Sequence, residues 1–477
     1  MLSIRRRELL QTMAVSVAAP GLARAAALTP RTVETIVVIG AGVAGLAVAN
    51  RLKETGRLVI VLEGRGEPGG RVRTARAPFD DGLYGELGAA RVFDTHFYVQ
   101  HWVSALGLNL VPFSPNAGAA LFAVGGRRLR ADDPGAGAAL FPDLRRDERG
   151  LTPAALTNKY LEGLPADLGE PLADAATYAR WAPFDRVTWP DFLRQRGASE
   201  SAVKLLTMGA DSRAISALYI LRQIMMHRDG RQYLKIEGGM DRLPRALAQP
   251  LGNDIRYGCT VTRIDANLNS VRVTFRKDGK DEIVAGDRGV VTLPFSTLRN
   301  VAMNPPLSPL AREMVTTLPY RPVTRFLLQT DRRFWQTQQL SGAARTDAPA
   351  ELWDASAGQL SVRGLLSVTA GGTPDVQARL AALSGEARVR FGASIAAAAF
   401  PDLQGRFQKG ITQNWAEDPW ARGGFAVFYP GQLSRWGAAL GRAEGRIHFA
   451  GEHVSPWPGW MEGALWSADR AFNEILG

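Results

Sequence analysis

Apolar residues gather in short unbroken runs at widely separated places along this chain. Ile36–Ile39, Leu58–Leu62, the stretch GVVTLPFSTL from Gly289 to Leu298 and the run Arg446–Ala450 are short and rich in β-branched residues. That pattern predicts strands buried on both faces. Between the first two runs, Val43–Glu54 is predicted as a helix, and PGWMEGALWSADRAFNEIL as the last helix of the chain. Alternation and turn residues in IRYGCTVTRIDANLNSVRVTFRKDG predict a β-meander, and Tyr233–Ile236, VTRFLLQTDRRFW and VRGLLSVTAGG are further strand candidates. Residues from about His96 to Met226 read instead as alanine-rich helical pieces broken by proline, of which WPDFLRQRG and ESAVKLLTMGADSRAISALYILRQIM are the clearest.

The first strand runs straight into Gly40, Gly42 and Gly45, a GxGxxG that opens the Val43–Glu54 helix. The first glycine permits the tight turn, the second lets backbone amides approach a pyrophosphate, and the third lets helix and sheet pack closely. Val43 and Ala44 then present unpaired N–H groups and the helix dipole to phosphate. The second strand ends in Glu63, whose carboxylate suits both hydroxyls of an adenosine ribose and repels a 2′-phosphate. The alternative is a glycine turn in an ordinary βαβ unit, and these residues alone do not separate NAD from FAD. A second glycine-rich loop, GRGEPGGRVRT, follows at once and implies close backbone passage over something flat or charged.

Charge and composition narrow the function. The net charge of +11 falls to +8 without residues 1–27, which carry Arg5, Arg6, Arg7 and Arg24 against Glu8. The remaining excess is dispersed, with no aromatic-interleaved basic stripe, so no nucleic-acid partner is expected. Residues 1–27 combine consecutive arginines, a short apolar segment and A-x-A-type cleavage sites, and resemble a twin-arginine export signal. A periplasmic or secreted protein without stable membrane insertion is expected. One cysteine, Cys259, excludes a disulfide framework, and five histidines without ligand spacing argue against a metal site. No GxSxG and no Walker-type GKS or GKT is present.

GAGVAGL with Glu63, the GGRVRT loop, VVTLPFSTL, the pair Asn414 and Trp415, and RIHFAGEH followed by GWMEGALWSADRA resemble, in order, the flavin amine oxidases. That superfamily includes monoamine, polyamine and L-amino-acid oxidases. The resemblance implies an α/β fold in which a glutathione-reductase-like (Rossmann-type) FAD-binding domain (33–95, 234–298 and 408–477) is interleaved with an α+β substrate-binding domain (96–233 and 299–407). It implies that Gly40, Gly42, Val43, Ala44, Gly45, Glu63, Gly64, Arg65, Gly70, Arg71, Gly88, Ala89, Ala90, Arg91, Val261, Trp415, Gly451, Glu452, Trp460, Met461 and Ala464 contact the cofactor. Met461 would offer its backbone at a helix N-terminus, and Glu452 a hydrogen bond to the ribityl or phosphate region.

The implied chemistry is oxidative deamination of an amine or L-amino acid, with oxygen giving hydrogen peroxide. A redox protein as acceptor, or a flavoprotein without turnover, are the alternatives, and a homodimer is compatible with any of them. Trp460 stands where monoamine oxidases carry one tyrosine of an aromatic cage, and Ala426 where they carry the other. Phe425 replaces the cysteine that binds flavin covalently, which implies non-covalent FAD. Arg325 replaces the lysine that assists reaction with oxygen; arginine cannot share a proton as lysine can, which implies an altered oxygen reaction, and the alternative is that Arg325 performs the same electrostatic task or pairs with a buried acid. Arg91 matches the arginine that binds substrate carboxylate in L-amino-acid oxidases, or is structural. Gly431 stands about where those oxidases place a carboxylate-binding tyrosine.

Overall fold

The strand Thr35–Ile39 (β1) pairs in parallel with Leu58–Leu62 (β2) on one side and with Arg288–Val291 on the other. Ile255–Arg256 and Ile447–Phe449 complete a five-stranded sheet in the order 255–256, 58–62, 35–39, 288–291, 447–449, parallel throughout. Its strands are short and apolar because helices or further sheet cover both faces, and Ile36, Val37, Val38 and Ile39 are almost wholly excluded from solvent. The helix Val43–Glu54 (α1) packs on one face together with the C-terminal helix Met461–Leu476. Register sets Ile39 beside Leu62 and Val291, and Val291 beside Phe449, so the carboxyl ends of four strands open onto one place. Open α/β sheets bind ligands at such ends.

The computed structural model describes residues 33–114, 118–133, 135–171, 173–208, 214–228, 230, 232–347, 350–371 and 373–477, of which Glu34–Gly477 form one compact unit. The export signal expected at residues 1–27 lies outside the described residues. Among these residues no helix is long and apolar enough to cross a membrane.

A second, seven-stranded sheet runs in the order 407–414, 324–330, 364–370, 350–354, 340–346, 119–124, 127–130. The hairpin Ala119–Val124 and Arg127–Arg130 belongs to it, although the region 96–226 reads as helical. Its signal was present: an apolar run, Gly125–Gly126 with positive φ, and a return strand are the marks of a two-residue hairpin. The helices Trp189–Gln195, Glu200–Thr207 and Ala217–Met226 do form where amphipathic spacing predicts them, each starting on Thr or Ser.

One buried acid ties the C-terminal helix to the chain after the first domain segment. Glu462, 2% exposed, accepts hydrogen bonds from Tyr98 N at 3.1 Å and Val99 N at 3.0 Å, at the start of helix Phe97–Ala105. Burial pushes its carboxyl up from 4.5 to about 7 against the pull of those donors. A raised carboxyl contributes its full stability below pH 4.5, and that contribution is lost as pH climbs toward about 7, because the unfolded chain releases the proton first. Glu462→Gln is therefore expected to flatten the fall of melting temperature between these two pH values. An unchanged slope would remove Glu462 as its source.

Candidate active site

Where the parallel strands end, a cavity of about 800 Å³ runs from the α1 loop to the face of the seven-stranded sheet. The glycine loop forms one end. A Cβ at Gly42 would meet nothing within 4 Å, so its backbone faces open space, whereas one at Gly45 would lie 2.0 Å from Gly40 O. Gly45 accordingly does not line the cavity; it lets α1 close on β1. Gly40 has φ +108°, and a Cβ there would sit 2.6 Å from Thr292 Oγ1. No side chain caps α1, which leaves its first N–H groups to a ligand.

Glu63 is held in position by backbone. Its Oε2 accepts from Ala41 N at 2.7 Å and its Oε1 from Arg65 N at 2.8 Å. Burial raises its pKa, opposed by these donors. Next to it, Trp420 lies against Gly64, where a Cβ would come within 2.6 Å of the indole, and Arg65 clasps Asp418 at 2.6 and 2.7 Å. This clasp fixes residues 418–422 over the same end of the cavity as Val261.

At the middle, Gly70, Arg71, Gly88, Ala89, Ala90, Trp415, Gly451, Glu452, Met461 and Ala464 all line the cavity. Trp415 Nε1 donates to Leu87 O at 2.7 Å, and Gly88 is crowded against Arg71 O, so these two loops are stapled together. The Glu452 carboxylate accepts from Arg71 Nη1 at 2.6 Å, Gly459 N at 2.7 Å and, more weakly, Ala426 N at 3.3 and 3.4 Å. In this structure those protein donors occupy it. Met461 begins the C-terminal helix, whose N-terminus carries no side-chain cap. Phe425 also faces the cavity, beside Gly459.

The far end is aromatic and charged. Trp460 donates its indole N–H to Gln223 Oε1 at 2.8 Å and packs against Phe93, His96 and His227, at centroid distances of 5.1–5.2 Å. The two histidines touch through their Nε2 atoms at 3.0 Å, and burial takes His96 down to about 3 and lowers His227 as well, so both are neutral. Sequence reasoning did not find this pair, which joins positions 131 residues apart.

Arg325 lies on the sheet face under the cavity. Its guanidinium carbon sits 4.4 Å over the Trp353 ring, and burial lowers its pKa to about 10 despite the nearby Glu351. It still carries its charge at neutral pH. Its contacts to Ser367 Oγ and Gly88 O are long, 3.4 Å each, and its Nε has no protein partner.

Arg91 reaches the same place and is already engaged. It contacts both Glu351 oxygens, at 3.1–3.2 Å, and its guanidinium carbon stands 4.6 Å over Tyr233. Glu351 gives no sign in the sequence, because only the register of the sheet brings it there. Ala426 is fully buried and does not line the cavity, leaving Trp460 without a second cage residue at that position. Gly431 lies outside the cavity too: it takes φ +85° before a short helix and donates to Asp185 O, so its place in the sequence says nothing about carboxylate binding.

The glycine loop with open backbone, the held Glu63 carboxylate, the uncapped C-terminal helix and the unpartnered Arg325 Nε fit an elongated dinucleotide with a flat ring system beyond it. Among the described residues no cluster of His, Cys, Asp or Glu could hold a metal ion.

Comparison with known proteins agrees with this geometry. Residues 43–476 match the family model of flavin containing amine oxidoreductases. The chain is 28% identical over 456 residues to a putative L-amino-acid oxidase of Bacillus subtilis, covering 92% of this chain and 94% of that one. It is 30% identical to an L-amino-acid oxidase of Mus musculus, covering 93% and 70% respectively. Among solved structures, putrescine oxidase bound to putrescine superposes with a TM-score of 0.78 at 22% identity, covering 93% of this chain and 99% of that one. Cyclohexylamine oxidase from Brevibacterium oxydans does so with 0.77 at 24%, covering 94% and 100%. The chain belongs to the flavin-containing amine oxidoreductases and is an enzyme of flavin-dependent amine oxidation.

Proposed function

We propose that this enzyme oxidises an L-amino acid, using FAD held without a covalent bond and oxygen as electron acceptor, in the periplasm or outside the cell. The observation that carries the amino-acid reading is Arg91, a guanidinium opening into the same cavity as Trp460 and the start of the C-terminal helix. A guanidinium binds carboxylate in two-point fashion. Relatives named as L-amino-acid oxidases over nearly the whole chain support the same choice.

Glu63, Gly42 and the first turn of α1 would hold the adenosine and pyrophosphate, and the Met461 backbone and Arg71 would flank the ring system. The chemistry that FAD would supply there is acceptance of a hydride equivalent from the carbon bearing nitrogen and delivery of the electrons to oxygen, so that the products are an imine, which water hydrolyses, and hydrogen peroxide. The protein's own part is to orient and to exclude water. Arg91 fixes the carboxylate end, while Trp460, Phe425 and Tyr219 provide apolar walls that favour the uncharged, reactive amine over its ammonium form. The loss of flavin colour on anaerobic mixing with a panel of amines and L-amino acids tests this. Bleaching by simple amines but by no amino acid would reject the substrate class.

Phe425 offers no thiol, and Cys259 is buried in another part of the cavity wall. Acid precipitation is therefore expected to release all the flavin into the supernatant. Colour kept in the pellet would refute non-covalent binding.

Arg325 favours a second reading, an amine dehydrogenase that hands electrons to a redox protein, because a guanidinium cannot relay a proton at neutral pH. Rapid mixing of the reduced enzyme separates the two. Slow reoxidation by oxygen beside fast reoxidation by a cytochrome c would establish the dehydrogenase.

A further inference from the structure

Among the described residues three carboxylates line the cavity, and they are held differently. Glu63 is bonded by backbone N–H groups, and Glu452 by backbone N–H groups together with Arg71. Glu351 takes its hydrogen bonds from one side chain, Arg91, with Arg345 and Arg325 acting on it through charge alone, while about a third of its own side chain stays open. The sheet places it in a row: Arg325 pairs with Thr369, and Thr369 with Glu351, on three adjacent strands. Thr369 Oγ1, buried between them, has no protein partner. The floor therefore presents a carboxylate, an unused hydroxyl and an under-bonded guanidinium side by side, and Arg91 reaches in to cover the carboxylate.

A substrate carboxylate arriving at Arg91 must take hydrogen bonds that Glu351 now accepts. Glu351 would then give up its hydrogen bonds from Arg91, beside the rings of Trp353, Tyr233 and Phe113 that stand around that guanidinium, and keep only the charge attraction of Arg345 and Arg325. A ligand that brings a cation of its own avoids that loss. Its carboxylate replaces Glu351 on Arg91, and its cation replaces Arg91 on Glu351. The amine that is oxidised has to be uncharged, so this cation is a second one. We infer that Glu351 is a specificity-determining residue and that the substrate is a diamino monocarboxylic acid, bound by exchange of the Arg91–Glu351 ion pair.

The inference rests on the amino-acid reading above, and pairs with the same carbon skeleton separate the two. Lysine and norleucine differ by one ammonium group, as do ornithine and norvaline. The wild-type enzyme is expected to show kcat/KM at least about tenfold higher for each diamino acid than for its neutral partner, chiefly through KM. Glu351→Gln, which keeps the shape and removes the charge, is expected to abolish that ratio, and Glu351→Asp to keep most of it. Neutral partners oxidised as well as diamino acids by the wild-type enzyme would overturn the inference and leave the amino-acid reading standing. An equal loss on both partners in Glu351→Gln would reduce Glu351 to a prop for Arg91 and likewise overturn it. Cadaverine bleaching the flavin while no amino acid does would remove both, and would leave amine oxidation alone.

Discussion

Gly45→Ala is expected to yield a protein with less than about a tenth of the wild-type flavin. The new Cβ would stand 2.0 Å from Gly40 O and 2.9 Å from Thr292 Oγ1, and neither neighbour is the free end of a flexible chain. The loop has to move away from α1, which costs on the order of 1–3 kcal/mol by overpacking and displaces the N–H groups that meet the phosphates. Absorbance of the purified protein near the flavin maximum, relative to its protein absorbance, reads the effect directly. Gly66→Ala is the control, since a Cβ there meets nothing within 4 Å. It should keep its colour and its stability to within about 0.5 kcal/mol. A Gly45→Ala protein as yellow as wild type would mean that the glycine loop does not hold the cofactor.

The second large effect is expected at Arg91. Losing a charge-assisted hydrogen bond costs about 1.5–3 kcal/mol, so Arg91→Ala should raise KM for amino acids roughly 10- to 150-fold. Amines that lack a carboxylate should change by less than about threefold. The single variant also strands Glu351, and the double variant Arg91→Ala/Glu351→Ala removes that contribution. If the double variant recovers wild-type KM for amino acids, Arg91 only neutralises Glu351 and binds no substrate.

The nucleotide end of the molecule was legible in the sequence. Spacing placed a helix at Val43–Glu54 and a strand at Leu58–Leu62, and both have those bounds, because local geometry alone dictates a turn that only glycine can make. The final strand and helix were nearly as clear. The hairpin 119–130 was hidden by the alanine-rich sequence around it, although its Gly125–Gly126 turn was in view. The far wall of the cavity was less legible for a different reason. Arg91 and Trp460 were found through resemblance, but Glu351, Thr369 and the His96–His227 pair depend on which strands and helices become neighbours. No periodicity encodes that.

The sheet that carries the cofactor end is assembled from residues near 36, 60, 255, 290 and 448, with Gly289 paired to Ile447. Pairing such distant partners is slow, because long loops have to close first. During synthesis, the early strands and glycine loop leave the ribosome long before Arg288–Val291 can cover the open edge of β1, and before Ile447–Phe449 and the Met461–Leu476 helix can follow. The cleft for the prosthetic group is therefore complete only once residues 447–476 have joined the first strands and the glycine loop.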